Sequence, residues 1–129
     1  KLDEFRLVDL PGYGYAKVAD IERERWAELM EGYFRTNRNI KLCLQLIDMR
    51  HKASEDDIAM LELLDSVEMP YIIVLTKCDK LNKTEFNNRL KLFKEELGYL
   101  AEDVPMIPFS ALKGTGTEDI RAYITESLE

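Results

Sequence analysis

Asp9-Leu10-Pro11-Gly12, Thr76-Lys77-Cys78-Asp79 and Ser110-Ala111-Leu112-Lys113-Gly114 each place polar groups where an apolar run breaks into a loop. A carboxylate at a strand end, as at Asp9, can hold a water bound to Mg²⁺, an ion that keeps several waters and takes few protein ligands. Leu10 and Pro11 then turn the chain to Gly12, which has no Cβ, so its N–H can approach a terminal phosphate closely. The same four residues also suit an ordinary strand-ending turn.

The second segment follows the most apolar run of the chain. A carboxylate at Asp79 can accept two hydrogen bonds from the N1–H and N2–H₂ of guanine, a pair of donors that adenine lacks on that edge. Charge-assisted bonds of this kind contribute about 1.5–3 kcal/mol each. A buried group left unpaired can reject the wrong substrate by roughly 10⁴-fold. Lys77 would lay its methylene stem along the base and direct its ammonium toward the phosphate-cradling loop that these residues lack, and Thr76 and Cys78 complete the loop. The competing reading is a solvated loop, with further charges at Lys80 and Lys83. In the third segment, after Phe109, the Ala111 N–H can donate to guanine O6 while Ser110 fixes the loop and supports Asp79. Lys113 could cover the other face of the base. Alone, this segment also reads as a turn with Gly114 and Gly116 before a helix.

Taken together the three segments say more than each does alone, because all fall at the carboxyl ends of predicted strands. Strands are expected at Phe5 to Asp9, Leu42 to Asp48, Tyr71 to Thr76 and Met106 to Phe109. Tyr71-Ile72-Ile73-Val74-Leu75 is almost continuously apolar and β-branched, as in a strand covered on both faces. Between them lie four helical patterns. The first runs from an N-cap at Asp20 to about Thr36, with an apolar stripe of Trp26, Leu29, Met30, Tyr33 and Phe34. The second starts at Ser54 and buries Ile58, Leu61 and Leu64. The third starts near Thr84, aligns Phe86, Leu90, Phe93 and Leu97, and stops at Gly98. The last carries Ile120, Ile124 and Leu128. Strand and helix alternating four times predict an α/β fold with a parallel sheet and right-handed crossovers. Ligands of such folds bind at the carboxyl edge of the sheet.

Bulk properties narrow the function further. The chain carries 18 basic and 25 acidic residues, a net charge of −7, which argues against a generic nucleic-acid binder held by a basic surface. No stretch approaches the roughly 18–20 apolar residues of a membrane span, and no signal-peptide pattern opens the sequence. Cys43 and Cys78 are too few for a disulfide framework and read as reduced cytosolic thiols. No repeat, low-complexity segment or interdomain linker is found, so one domain is expected.

With these residues in place, the sequence resembles the translation-factor-type P-loop GTPases, and among them the EngB family of bacterial ribosome-biogenesis GTP-binding proteins. Asp9-Leu10-Pro11-Gly12-Tyr13-Gly14-Tyr15-Ala16 is the most family-specific stretch. Thr76 at the start of the guanine motif and Asp48-Met49-Arg50-His51 after the second strand are similar to that family. The resemblance implies a three-layer P-loop GTPase-type fold, GTP/GDP binding, Mg²⁺ held by Asp9 through water, and slow GTP hydrolysis. It also implies a bacterial cytoplasmic role in large ribosomal subunit assembly, with rRNA and ribosomal proteins as partners, and a link to cell division. No membrane partner is expected, and the complete protein is expected to be a monomer. In Ras-like relatives a Gln after the Gly positions the attacking water; Tyr13 stands there in this chain, so no catalytic residue is assigned.

No G-x-x-x-x-G-K-[ST] loop occurs in these residues; that loop cradles the phosphates and supplies the hydroxyl for Mg²⁺. In the resembled fold it precedes Lys1, with a first strand and first helix. Residues 1–129 then correspond to the C-terminal two-thirds of a GTP-binding domain, opening inside a hairpin. The absent strand would lie between those ending at Asp9 and Asp48. The chain alone is expected to bind GTP weakly and to hydrolyse it negligibly. Two alternatives stay open: a non-catalytic interaction module that kept the fold, and another translation-factor-type GTPase linked to tRNA modification or to a membrane. His51 is expected to be structural or at the surface. Tyr13 and Tyr15 read equally as switch residues or a ribosome contact, or as packing against the first helix. Arg35, Arg38 and Lys41 read as a solvated helix end, with rRNA contact the lesser alternative.

Overall fold

Residues 20–36, 39–100 and 103–129 are described by the computed structural model of the chain. The order of elements is α1 (Asp20–Thr36), β1 (Cys43–Asp48), α2 (Glu55–Ser66), β2 (Tyr71–Thr76), a 3-10 turn (Cys78–Lys80), α3 (Lys83–Leu97), β3 (Met106–Pro108) and α4 (Thr117–Leu128). The predicted strand Phe5 to Asp9 lies outside the described residues. The sheet runs β1-β2-β3 with both pairings parallel. The register sets Leu46 beside Val74 and Ile47 beside Leu75, and Val74 beside Ile107.

Pairing without an offset gives the two faces of β2 different partners. Tyr71, Ile73 and Leu75 face a core shared with Ile47 of β1, Met30 and Phe34 of α1, Leu61 and Leu64 of α2, and Phe93 and Leu97 of α3. Ile72, Val74 and Ile107 face the other way, toward Ile120 and Tyr123 of α4. Helices on both faces make three layers. They also explain why β2 is an unbroken apolar run, since all five residues from Tyr71 to Leu75 are buried. Among the described residues β1 is covered mainly on one face. Its Gln45 and Ile47 are buried, whereas Leu44 and Leu46 stay exposed on the α4 side. Among the described residues β1 hydrogen-bonds to β2 alone.

Capping fixes where the helices begin. Ser54 accepts from the Asp57 N–H at 3.0 Å while the Asp57 carboxylate accepts from the Ser54 N–H at 2.9 Å. Asn82 and Glu85 form the same reciprocal box ahead of α3, each box satisfying two otherwise orphaned donors. The third helix therefore begins at Lys83, just before the predicted Thr84, because Asn82 supplies the cap. Asp20 is the first residue of α1 rather than its cap. Gly98 follows α3 in a right-handed conformation (φ −59°, ψ −33°), so it is not the left-handed terminator that a glycine there suggests. The stripe on α1 is narrower than expected: Met30 and Phe34 are buried, but Leu29 is 63% exposed. No residue of α4 is fully buried; Ile120 packs on the sheet beside Tyr123, and Ile120, Ile124 and Leu128 all remain half-exposed.

Candidate functional site

All three described strands point their carboxyl ends the same way, and the chemistry-bearing residues collect there. β2 ends at Thr76, whose hydroxyl donates to the Ile47 carbonyl at 3.3 Å and whose carbonyl accepts from the Met49 N–H at 2.9 Å. These bonds fasten the exit of β2 to that of β1. Lys77 then adopts a left-handed conformation (φ 60°, ψ 33°), which costs a non-glycine residue about 1 kcal/mol. That turn throws the chain into the 3-10 segment carrying Cys78 and Asp79. The Cys78 N–H donates to the Phe109 carbonyl at 3.1 Å, and the Phe109 N–H donates to the Leu75 carbonyl at 2.7 Å. The loop after β2 is thereby docked on the loop after β3. Phe109, predicted as a strand residue, lies just beyond β3.

Asp79 and Ser110, 31 residues apart in sequence, meet at this junction. The Ser110 hydroxyl donates to Asp79 Oδ1 at 2.8 Å and accepts from the Lys113 N–H at 3.0 Å. Ser110 is wholly buried, and its main chain closes the loop through the Thr115 carbonyl and the Gly114 N–H. Gly116 completes the turn at φ +81°, where a Cβ would collide with the Pro108 carbonyl oxygen. The second Asp79 oxygen and the Ala111 N–H have no hydrogen-bond partner among the described residues. A carboxylate with one oxygen free, and an unpaired backbone donor one residue on from the serine that holds the other oxygen, can pair with a ligand edge that carries both donors and an acceptor. Lys77 and Lys113 are both exposed at this edge.

A second cluster was not read from the sequence as part of the site. Asp48, at the end of β1, accepts from the Arg50 N–H and Nε at 3.0 Å each and from Arg50 Nη2 at 2.8 Å. Lys77 Nζ stands 3.6 Å from Asp48 Oδ2. Hydrogen bonding by Arg50, strengthened by its charge, holds the Asp48 carboxyl well below the usual carboxylate range. The stabilisation this provides is present above the unfolded value and is lost only as pH falls through that depressed one. Arg89 of α3 donates from Nε to the Met49 carbonyl at 3.2 Å and stacks over the Phe93 ring at 4.7 Å. It thus anchors the segment between Asp48 and Arg50 from beneath. A fork-like Asp-x-Arg at a strand end was the available signal. His51 is exposed, and its N–H donates back to the Asp48 carbonyl.

Asp9, Leu10, Pro11 and Gly12 lie outside the described residues, as do Tyr13, Tyr15 and Arg38. Among the described residues no group of His, Cys, Asp and Glu is placed to hold a metal ion, and no helix is long and apolar enough to cross a membrane. Arg35 pairs with Glu31 on the surface of α1 and Lys41 is exposed.

The two thiols are unpaired, Cys43 half-buried and Cys78 buried. Burial pushes the Cys43 thiol up to about 11 and raises that of Cys78 as well. At pH 8 the Cys43 thiolate fraction is then on the order of 10⁻³. Timed maleimide labelling of the native protein should be roughly a hundredfold slower than in urea, and Cys43 labelling should speed up about tenfold per pH unit between 7 and 9. Labelling of Cys43 as fast as in urea at pH 7 would contradict its burial.

The sequence matches the elongation factor Tu GTP-binding domain over residues 27–129. A probable GTP-binding protein EngB of Streptococcus equi subsp. equi is 41% identical over 126 residues, which is 98% of this chain and 63% of that protein. The corresponding protein of Symbiobacterium thermophilum is 37% identical over 97% of this chain and 54% of its own length. The chain thus spans somewhat over half to about two-thirds of these relatives. The crystal structure of a probable GTP-binding protein EngB superposes with a TM-score of 0.69, covering 91% of this chain and 73% of that one at 21% identity; it supports the fold. The parallel sheet, the layering and the sequence match agree: the chain is similar to EngB GTP-binding proteins over nearly its whole length, and it belongs to the elongation factor Tu GTP-binding-domain family.

Proposed function

We propose that this chain carries the guanine-reading part of a GTP-binding protein acting in large ribosomal subunit assembly. The observation that carries the base reading is the buried Ser110 hydroxyl holding Asp79 beside an unpaired Ala111 N–H. Asp79 accepts from guanine N1 and N2, and Ala111 donates to O6. Thr76 and Cys78 fix the loop, the Lys77 stem lies along the base, and Phe109 and Ser110 form the opposing loop. A donor–acceptor set of this polarity rejects adenine, which offers neither donor pair nor O6.

The phosphate end is assigned to Asp9-Leu10-Pro11-Gly12, with Asp9 holding Mg²⁺ through water and the Gly12 N–H near the terminal phosphate. When bound, Mg²⁺ would neutralise charge on the β- and γ-phosphate oxygens. No G-x-x-x-x-G-K-[ST] loop occurs in these 129 residues, so the cradle for the phosphates is not assigned to them. Hydrolysis of GTP is therefore assigned to the complete domain, acting in the cytoplasm, and not to this part alone.

The ribosomal role rests on the EngB resemblance. Sedimentation of the complete protein with purified large ribosomal subunits tests both parts of the proposal at once. Association should appear with a non-hydrolysable GTP analogue and not with the matching ATP analogue. Equal association with both would remove the guanine reading, and none with either would remove the ribosomal one in favour of another translation-factor-type role.

A further inference from the structure

Asp48 sits at the base-reading edge without touching Asp79, yet it is the most heavily bonded carboxylate there. Arg50 grips it through two side-chain nitrogens and one backbone N–H. The carbonyl of the intervening Met49 is held by Arg89, and the Met49 N–H by Thr76. Asp48 is consequently a fixed anion, preorganised by the protein rather than by a ligand. The Lys77 ammonium reaches toward it at 3.6 Å. Lys77 is also the residue whose left-handed backbone launches the turn bearing Asp79. An exposed lysine stem would otherwise sample many rotamers, and fixing it before a ligand arrives removes that ordering cost from binding.

We propose that Asp48 is a positioning residue for the base site, holding the Lys77 ammonium so that the lysine stem is already laid out as one wall for the purine. Arg50 serves this arrangement in two ways. It locks Asp48 in place through three hydrogen bonds, and its positive charge also interacts favourably with that of Asp79. The inference rests on the guanine reading above and adds to it a determinant outside the base-contacting loops.

A double-mutant cycle in the complete protein tests it, with a fluorescent GDP analogue as the probe. Asp48→Asn should weaken binding by about two- to fivefold, the range of a partly exposed ion pair. Lys77→Met keeps the stem and removes the ammonium, and should cost a similar factor. In the Lys77→Met background Asp48→Asn should cost nothing further, because its effect passes through the ammonium. Asp48→Glu, which keeps the carboxylate, should retain more affinity than Asp48→Asn. A purely structural role for Asp48 predicts the same loss with Lys77 present or replaced, and that result, or no loss in either background, overturns this inference alone. If Asp79→Asn left GDP affinity unchanged, the base reading would fall and this inference with it.

Discussion

Replacing Asp79 by Asn in the complete protein should lower GDP affinity by roughly a hundredfold or more and raise affinity for xanthosine diphosphate. The substitution removes a charge that receives two hydrogen bonds, each contributing about 1.5–3 kcal/mol when charge-assisted. It also turns one acceptor into an amide donor facing the donors of guanine. Xanthine carries an oxygen at C2, which can accept from that amide. The Ser110 hydroxyl would still have an acceptor in the Asn side-chain oxygen, so the loop should stay closed. The change therefore acts on base choice rather than on folding. Competition titration with both diphosphates measures it, and an unchanged preference for GDP would take the base-reading role away from Asp79.

Phe93→Ala should destabilise the protein by about 3–5 kcal/mol, the usual cost of emptying an aromatic site in a packed core. Phe93 has no exposed surface and joins α3 to the cluster shared by β1, β2 and α2. Against a typical total stability of about 5–15 kcal/mol, such a loss consumes a large share of what holds the fold. It also has a local consequence. The Arg89 guanidinium lies over the Phe93 ring while its Nε donates to the Met49 carbonyl. Removing the ring frees Arg89 and loosens the segment between Asp48 and Arg50. Urea unfolding monitors the global effect; a loss below about 1 kcal/mol would place Phe93 outside the core.

Much of the fold could be read locally because local rules govern it. The pattern over 71–76 placed β2 with its observed bounds, and the periodicity up to Thr36 placed α1 to within one residue at its start. The second helix was expected to start at Ser54, and the structure shows why: its hydroxyl three residues ahead of the Asp57 carboxylate satisfies two backbone donors. The identical logic at Asn82 and Glu85 was overlooked, moving the start of α3. Gly98 shows where a local rule yields: glycine permits a left-handed end but does not compel one. Leu29 shows the same for periodicity, since it shares the stripe of α1 yet stays 63% exposed and outside the core that Met30 and Phe34 join.

What the sequence by itself determined is the set of chemical groups and their order: a carboxylate at Asp79, a hydroxyl at Ser110 and a small-residue turn through Gly114 and Gly116, each following an apolar strand. Alternation of strand and helix then required these to fall on one edge, because parallel strands joined by crossovers all end on the same side. Only the tertiary structure decided which of those groups touch. The Asp79–Ser110 bond spans 31 residues, the Arg89–Met49 bond spans 40, and Lys77 meets Asp48 across two strands. Contacts of that kind are set by strand register and by the left-handed step at Lys77, and neither quantity is written in any one local stretch of chain.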